Sequence, residues 1–543
     1  MNTRRRRRRR GRRGGRGGAR PQAPNEVLAA AERLGLRRLY PEQQQVVASV
    51  LAGRDVLVVL PTGFGKSACY QIPSMVLPKL TVVISPLVAL LQDQYEKLLA
   101  HDIPCVRLDG TVRGKARKEA MARVAAGGSL LVMTTPETFG SAEAMEAIRG
   151  AGVSLVAIDE AHCISEWGHD FRPAYLRLGE HVRRLGRPPV LALTATATAR
   201  VREDILRFLG LGEPHVVSSS PHRANLAFEA LECRGDARLR ALIRFVRRLR
   251  RPGIVYCATT REVDILWGGL KRFGIPAHRY HGKMGSGDRA REQEWYMKHG
   301  RRTVMLATSA FGLGIDKPDI RYIVHYQSPA SLEQYVQEAG RAGRDGRRAD
   351  CILLYDPDDR GIHESLLATS RVRPDQLAKL GKALAAWAGE GRTPTTDALA
   401  LSAGLGPRIT SALLATLEEV SLVRIADDKT VAINTAPERF EEEASQLAGR
   451  FATLRTQDGR RLETVADYAN TKDCRAVFLR RYFGEAEGEP CKLCDNCRGR
   501  GKRPATFWAP LTPPPRKRGA RRRGGRKPRP ERTAVPSQPA AQS

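Results

Sequence analysis

Ten short strand-like runs between residues 55 and 356 constrain this chain more than any other feature of its sequence. The first five are "DVLVVL", "TVVISP", "SLLVMTT", "LVAIDE" and "VLALTA"; the second five are "GIVYC", "AHRYHG", "TVMLAT", "YIVHY" and "CILLYD". Such runs, joined by helix-length segments, predict parallel strands buried beneath helices. They fall into two sets, over 25–215 and 216–360, and so predict an α/β class with two tandem parallel-sheet lobes. A ligand is then expected beyond the carboxyl ends of the strands, in the cleft between the lobes.

Past residue 360 the pattern turns helical. "DQLAKLGKALAAW" places Leu377, Leu380, Leu384 and Trp387 on one helical face. "TPTTDALALSAGLGPRITSALLATLEEV" reads as two helices joined by a glycine-containing turn, and "SLVRIADDKTVAIN" as a short hairpin around Asp427 and Asp428. This order, within an inserted region at 361–458, suits either a nucleic-acid-binding winged helix or a plain helical adaptor. A module at 459–500 follows, with Cys474, Cys491, Cys494 and Cys497. Four thiolates so spaced suit a closed tetrahedral zinc site, and an iron–sulfur cluster could use the same donors. The other six cysteines stand singly, as small buried residues do in a reducing compartment.

The formal charge of +33 is concentrated at the ends. Residues 1–20 carry eleven arginines and no acid, and residues 498–543 carry fourteen Lys and Arg against the single Glu531. The terminal segments 1–24 and 501–543 are expected to be disordered, being rich in Arg with Gly or Pro and poor in apolar residues. Arms of this kind neutralise phosphates whatever the nucleic-acid sequence. No apolar run is long enough to span a bilayer, and no apolar segment follows the basic start as in a secretory signal. A soluble protein with no membrane partner is expected, cytoplasmic and nucleoid-associated, or nuclear if the source is eukaryotic.

Two stretches carry phosphate chemistry. "VLVVLPTGFGKSACYQIP" places Thr62, Gly63, Gly65, Lys66 and Ser67 between a strand and a helix, although Leu60 stands where the strict spacing of a phosphate loop has glycine. Glycines let backbone amides close around phosphates, Lys66 would reach the β- and γ-phosphates, and Ser67 would bind Mg²⁺. "LVAIDEAH" ends another strand with Asp159 and Glu160, one to hold the metal and one to polarise the attacking water. "QYVQEAGRAGRDG" then offers Gln337, Arg341 and Arg344 on one helical face, where guanidinium groups could meet charge developing on the γ-phosphate. "ATSAFGLGIDKPDIRYIVHY" would line the same cleft.

These stretches, with "DEAHCISEWGHDFRPAY", resemble the RecQ family of DNA helicases within helicase superfamily two. The resemblance runs over about 25–360 and resumes at the cysteines with "LRRYFGE". It implies RecA-like lobes that bind ATP and Mg²⁺, and it assigns zinc to the four cysteines. Gln43 in "LYPEQQ" matches the adenine-recognising glutamine, though Leu39 and Tyr40 replace the usual Phe-Arg. Asp316 joins the nucleotide residues by the same match. Ser85, Thr135 and Thr308 match strand-tracking and coupling motifs. The loop after DEAH implies a single-stranded-DNA sensor, with His162, Trp167, Phe171 and Arg172 as contacts or couplers. Trp167 and Phe171 would stack on bases without reading sequence. Glu166 stands where many members have glutamine.

The resemblance implies an ATP-dependent motor that tracks single-stranded DNA from 3′ to 5′ and unwinds duplexes in recombination and repair. Forked DNA is an expected substrate, with single-strand-binding and repair proteins as partners. The architecture departs from the family, because about a hundred residues separate the second lobe from the cysteines and the helix-turn-helix precedes them. Two alternatives follow: a nucleic-acid-stimulated translocase without strand separation, and a non-motor binding or annealing protein.

Overall fold

The computed structural model describes residues 25–511 apart from 169, 301–302, 313–314, 316, 371, 427, 486–487 and 500–504. The basic segments at 1–24 and 512–543 lie outside the described residues. In the first lobe, seven strands form one parallel sheet: β1 (Val56–Val59), β2 (Leu80–Ile84), β3 (Cys105–Leu108), β4 (Leu131–Thr134), β5 (Val153–Ile158), β6 (Val190–Thr194) and β7 (His215–Ser218). Their spatial order is β3-β4-β2-β5-β6-β1-β7. Alternate residues serve opposite faces: Leu57 and Val59 join one core, Val56, Val58 and Leu60 the other. β1 and β5 are separated only by β6, so the segments leaving them share one rim. β7 pairs with β1, so this lobe runs past the expected limit at residue 215.

The second lobe holds six parallel strands: β8 (Leu226–Glu232), β9 (Gly253–Tyr256), β10 (Ala277–Tyr280), β11 (Val304–Ala307), β12 (Tyr322–His325) and β13 (Ala349–Tyr355). Their order is β10-β11-β9-β12-β13-β8. A close approach marks β9, where a Cβ on Gly253 would lie 2.0 Å from the Tyr322 ring of β12. Only glycine lets that ring lie across the neighbouring strand.

The helical region begins with Pro374–Gly389 and continues through helices Thr396–Ser402 and Pro407–Glu419 to the hairpin β14 (Val423–Ile425) and β15 (Val431–Ile433). Two helices joined by a turn and a short antiparallel hairpin are therefore present, an arrangement open to the winged-helix and the helical-adaptor readings alike. Leu377, Leu380 and Leu384 bury against Leu414, Leu417 and Phe440. The last of these opens a single 34-residue helix, Pro437–Asn470, about 50 Å long. The expected boundary at 458/459 falls inside this helix, so insert and cysteine module share one rigid element. Past the cysteines, Phe507 returns to the second lobe, its ring centroid 5.6 Å from that of Phe245. Among the described residues no single helix is long and apolar enough to cross a membrane.

Leu414 is fully buried in the helical core. Leu414→Ala is expected to cost about 2–5 kcal/mol, and hydrogen exchange read by mass spectrometry should place the lost protection within residues 374–470, leaving both lobes unchanged.

Candidate nucleotide site and zinc centre

The loop after β1 passes from Leu60 to Ser67, where the helix Ala68–Val76 starts. Gly63 (φ +87°) and Gly65 (φ +69°) take left-handed conformations that side-chain-bearing residues rarely adopt. Both are also crowded: a Cβ on Gly65 would lie 2.8 Å from Gln43 Nε2, and one on Gly63 would lie 3.1 Å from the Arg344 side chain. Gln43 Nε2 donates to the carbonyls of Phe64 and Gly65 at 3.1 and 3.0 Å. Lys66 Nζ donates to the Leu60 carbonyl at 3.0 Å. Burial lowers the Lys66 pKa, while Glu160 and Asp159 pull it back up. Gln94 Nε2 donates to Ser67 Oγ at 3.4 Å, and Gln94 Oε1 accepts from the Tyr70 hydroxyl at 2.5 Å.

Asp159 follows β5, its amide donating to the Ile84 carbonyl and its carbonyl accepting from the Tyr175 hydroxyl, both at 2.9 Å. Burial first, then the charge of Glu160, raises the Asp159 carboxyl pKa. A divalent cation there would counter both effects, so the residue suits a metal-holding role. Glu160 sits at φ 49°, ψ 45°, left-handed for a residue with a long side chain. That conformation costs about 1–3 kcal/mol and persists only where the surroundings impose it. Glu160 Oε2 lies 3.3 Å from His162 Nδ1, which is 3.0 Å from Thr194 Oγ1 at the end of β6. The Thr194 hydroxyl donates to the Thr196 carbonyl at 3.0 Å. It therefore accepts from His162, whose Nδ1 carries the proton.

On the second lobe, helix Leu332–Ala339 carries Gln337 and leads into the turn holding Arg341 and Arg344. Arg223 Nη1 donates to the carbonyls of Gly340 and Ala342 at 2.9 and 3.0 Å, and Asn225 Nδ2 to those of Gly343 and Arg347 at 2.8 Å. Arg341 is buried and donates to the Gly312 carbonyl. Gln337, Arg341 and Arg344 share one cleft of about 450 Å³ with Gln43, Thr62, Gly63, Gly65, Lys66, Ser67, Asp159 and Glu160. That volume falls within the range of small-ligand sites, which suits a nucleotide. Asp316 lies outside the described residues. Motif reading missed the supporting Arg223 and Asn225, and also Asp93, Lys97 and His101 on a further wall of the cleft. Asp93 lies in "SPLVALLQDQ", the motif that holds Ser85, but was not read as lining the nucleotide cleft; the others belong to no spaced motif that could have marked them.

The expected DNA-facing residues are placed differently. Ser85, Thr135 and Thr308 stand at the carboxyl ends of β2, β4 and β11, but their side chains are buried. Thr135 is used internally, accepting from the Thr138 amide at 3.4 Å to cap a short helix. Trp167 packs against the first lobe's core, with Arg200 5.6 Å from the ring centroid. Arg172 donates to the Pro86 carbonyl at 3.3 Å and pairs with Asp170. Phe171 is a correction: it is 6% exposed and meets Phe451 edge-on, ring centroids 5.8 Å apart, in the helical region's core. It is not an exposed stacking surface in this conformation, because the long helix supplies an apolar face that covers it.

The four cysteine sulfurs of Cys474, Cys491, Cys494 and Cys497 lie within 4.8 Å of one another. Zinc–sulfur bonds of about 2.3 Å would draw them into a tetrahedron, so the donor set fits zinc. The amides of Leu493 and Cys494 donate to Cys491 Sγ at 3.4 and 3.3 Å, and the Cys491 amide to Cys474 Sγ at 3.2 Å, which favours thiolates. Asp495 ties the module to the second lobe: its amide donates to the Phe228 carbonyl, and its Oδ2 accepts from the Ala230 amide, both at 3.0 Å. These bonds cover the otherwise open edge of β8. The purified chain should therefore carry one zinc ion. Metal analysis of Cys494→Ser is expected to show its loss, and the melting temperature should fall because the edge of β8 is uncovered.

Comparison with known proteins agrees with this geometry. Residues 40–205 match the DEAD/DEAH box helicase family, 237–346 the helicase conserved C-terminal domain, and 440–498 the RecQ zinc-binding family. The probable ATP-dependent DNA helicase RecS of Bacillus subtilis is 38% identical over 345 residues, covering 63% of this chain and 69% of that protein. The ATP-dependent DNA helicase RecQ of the same organism is 33% identical over 470 residues, covering 86% of this chain and 66% of that one. The chain thus spans about two thirds of the length of these relatives. In fold it is similar to the DUF1998 helicase MrfA bound to DNA and AMPPNP (TM-score 0.51, 21% identity, covering 76% of this chain and 62% of the other). Two RecA-like lobes alone would fit many motors; joined to a RecQ-type zinc module and to relatives of this identity, they place the chain in the RecQ family of ATP-dependent DNA helicases.

Proposed function

We propose that this chain hydrolyses ATP between its lobes to move from 3′ to 5′ along single-stranded DNA and unwind the duplex ahead. The observation that carries this reading is the convergence of Lys66, Asp159 and Glu160 from one lobe with Gln337, Arg341 and Arg344 from the other on a single cleft. Gln43 and the loop amides hold the nucleotide, and Lys66 contacts the β- and γ-phosphates. Mg²⁺, held by Ser67 and Asp159, would offset phosphate charge when bound. Glu160 takes a proton from the water that attacks the γ-phosphorus, and the bond to the β-phosphate oxygen breaks. Arg344 stabilises the charge developing there, while Arg341 fixes the second lobe's face of the cleft. Because the arginines arrive from the opposite lobe, hydrolysis and release alter how tightly the lobes close, and this moves the strand contacts.

The arginine-rich termini raise affinity for any phosphate backbone. Single-strand-binding and repair proteins are the partners this role implies. A second reading, a translocase without strand separation, is favoured by one observation. The helix-turn-helix and wing at 393–434 carry three basic residues against five acidic ones, so this module is poorly suited to grip duplex phosphates.

Unwinding of a duplex with a 3′ or a 5′ single-stranded tail separates the two readings. Opening from the 3′ tail alone is expected, and it should vanish in Lys66→Ala. DNA-stimulated hydrolysis without opening would leave the translocase. Independently, Arg344→Ala should lower the hydrolysis rate by about 10³-fold or more, with a much smaller change in affinity for a fluorescent ATP analogue.

A further inference from the structure

We infer that Arg461 is a positioning residue: from the long helix Pro437–Asn470 it clasps the backbone of the loop after DEAH and so couples that loop to Glu160. The Arg461 side chain is buried, 6% exposed. Its Nη2 donates to the carbonyls of Glu166 and Gly168 at 3.1 and 2.8 Å, and its Nη1 donates to Asp458 Oδ1 at 2.7 Å. A buried guanidinium aimed at two main-chain carbonyls fixes the path of a loop whatever side chains that loop bears. Two more contacts come from the same helix. Arg450 pairs with Glu166 at 3.3 Å, and Phe451 meets Phe171.

The loop transmits this restraint toward the catalytic acid. Gly168, whose carbonyl Arg461 holds, lies so close to the DEAH turn that a Cβ there would sit 2.5 Å from the His162 carbonyl. His162 in turn lies 3.3 Å from Glu160. The path from Arg461 to the water-activating carboxylate therefore passes through only two residues, Gly168 and His162. At its other end the helix reads the second lobe. Tyr468, two turns beyond Arg461, is buried in that lobe's core with its hydroxyl 3.4 Å from that of Tyr335. Tyr335 lies on the helix that carries Gln337 and leads to Arg341 and Arg344. One unbroken helix thus touches the supports of both halves of the cleft, from outside the cleft. Movement of the lobes must act on the Arg461 clasp, and a DNA strand that shifts the loop must act on the same contacts.

This inference rests on the ATPase reading above, and the experiment keeps the two apart. ATP hydrolysis by the full chain is measured with and without single-stranded DNA, alongside DNA affinity by fluorescence anisotropy. Absence of DNA-stimulated hydrolysis in the unaltered chain would sink the proposed function itself. If that activity is present, Arg461→Ala should lower the DNA-stimulated kcat by about tenfold while the DNA-free rate and DNA affinity stay within twofold. Arg461→Lys, which keeps the charge and a donor, should recover part of the stimulation. Asp458→Asn, which retains Arg461 but weakens its anchor, should show a smaller loss of the same kind and serves if Arg461→Ala does not fold. Equal falls in the stimulated and DNA-free rates would show a merely structural role. An unchanged stimulated rate, or a raised DNA-free rate, would equally overturn the coupling.

Discussion

The nucleotide cleft depends on a contact in which one partner has no side chain. Arg344 of the second lobe rests against Gly63 of the first, at a distance where a single added methyl would crowd the guanidinium stem at 3.1 Å. A left-handed glycine lets the loop amides face inward and, at the same point, lets the opposing lobe reach the loop. Either requirement alone would select glycine; together they make the loop both a phosphate cradle and an inter-lobe bearing. The buried Arg341 supports this from its own side by gripping the Gly312 carbonyl, so that it is Arg344, further along the turn, that reaches across.

Strain and wiring then distinguish the two acids. Asp159 is held by ordinary backbone bonds, whereas Glu160 sits in an unfavourable conformation beside His162 and is linked through it to Thr194 and Thr196. A residue held at a cost of about 1–3 kcal/mol responds to small shifts in the groups that hold it. Those groups are the DEAH turn, the end of β6 and the loop against which Gly168 packs. The geometry favours a carboxylate whose position is set by its neighbours over one that is permanently fixed.

Much of this was legible in the sequence for physical reasons. Nine of the ten readable strands lie inside a sheet, where a strand covered on both faces has little room for polar residues; β10, at an edge and buried only at Ala277, is the exception. β3, β7 and β8 were not; all three lie at sheet edges, and exposure breaks the apolar run of β7, which alternates exposed with covered positions, and of β8, interrupted by half-covered Glu229 and Ala230 and closed by exposed Glu232. The nucleotide residues were readable because phosphate chemistry demands fixed residue types at fixed spacing. Arg223 and Asn225, which hold the arginine turn through its carbonyls, answer to no such spacing. Phe171 was misread because its cover comes from Phe451, 280 residues away, and the local motif carries no sign of that distant face. The 458/459 boundary failed for a related reason: a change in composition need not interrupt a helix.

Charge supplies the last step. In a chain of net +33, the helix-turn-helix and wing are slightly acidic, while the termini hold most of the excess. The turn region of that module instead exposes Leu401, at 85%, and Ile409, at 40%. Positive charge and the helix-turn-helix with its hairpin are therefore separated along the chain. On the proposed function, phosphate attraction from the basic termini would be long-ranged and indifferent to shape, so it would hold the motor near DNA without telling it where a strand lies. That discrimination must come from the lobes and the loop between them and the long helix. The insert also serves the proposed clasp: it carries Arg450 and Phe451, which meet Glu166 and Phe171 of the loop, and its apolar core packs against that part of the helix.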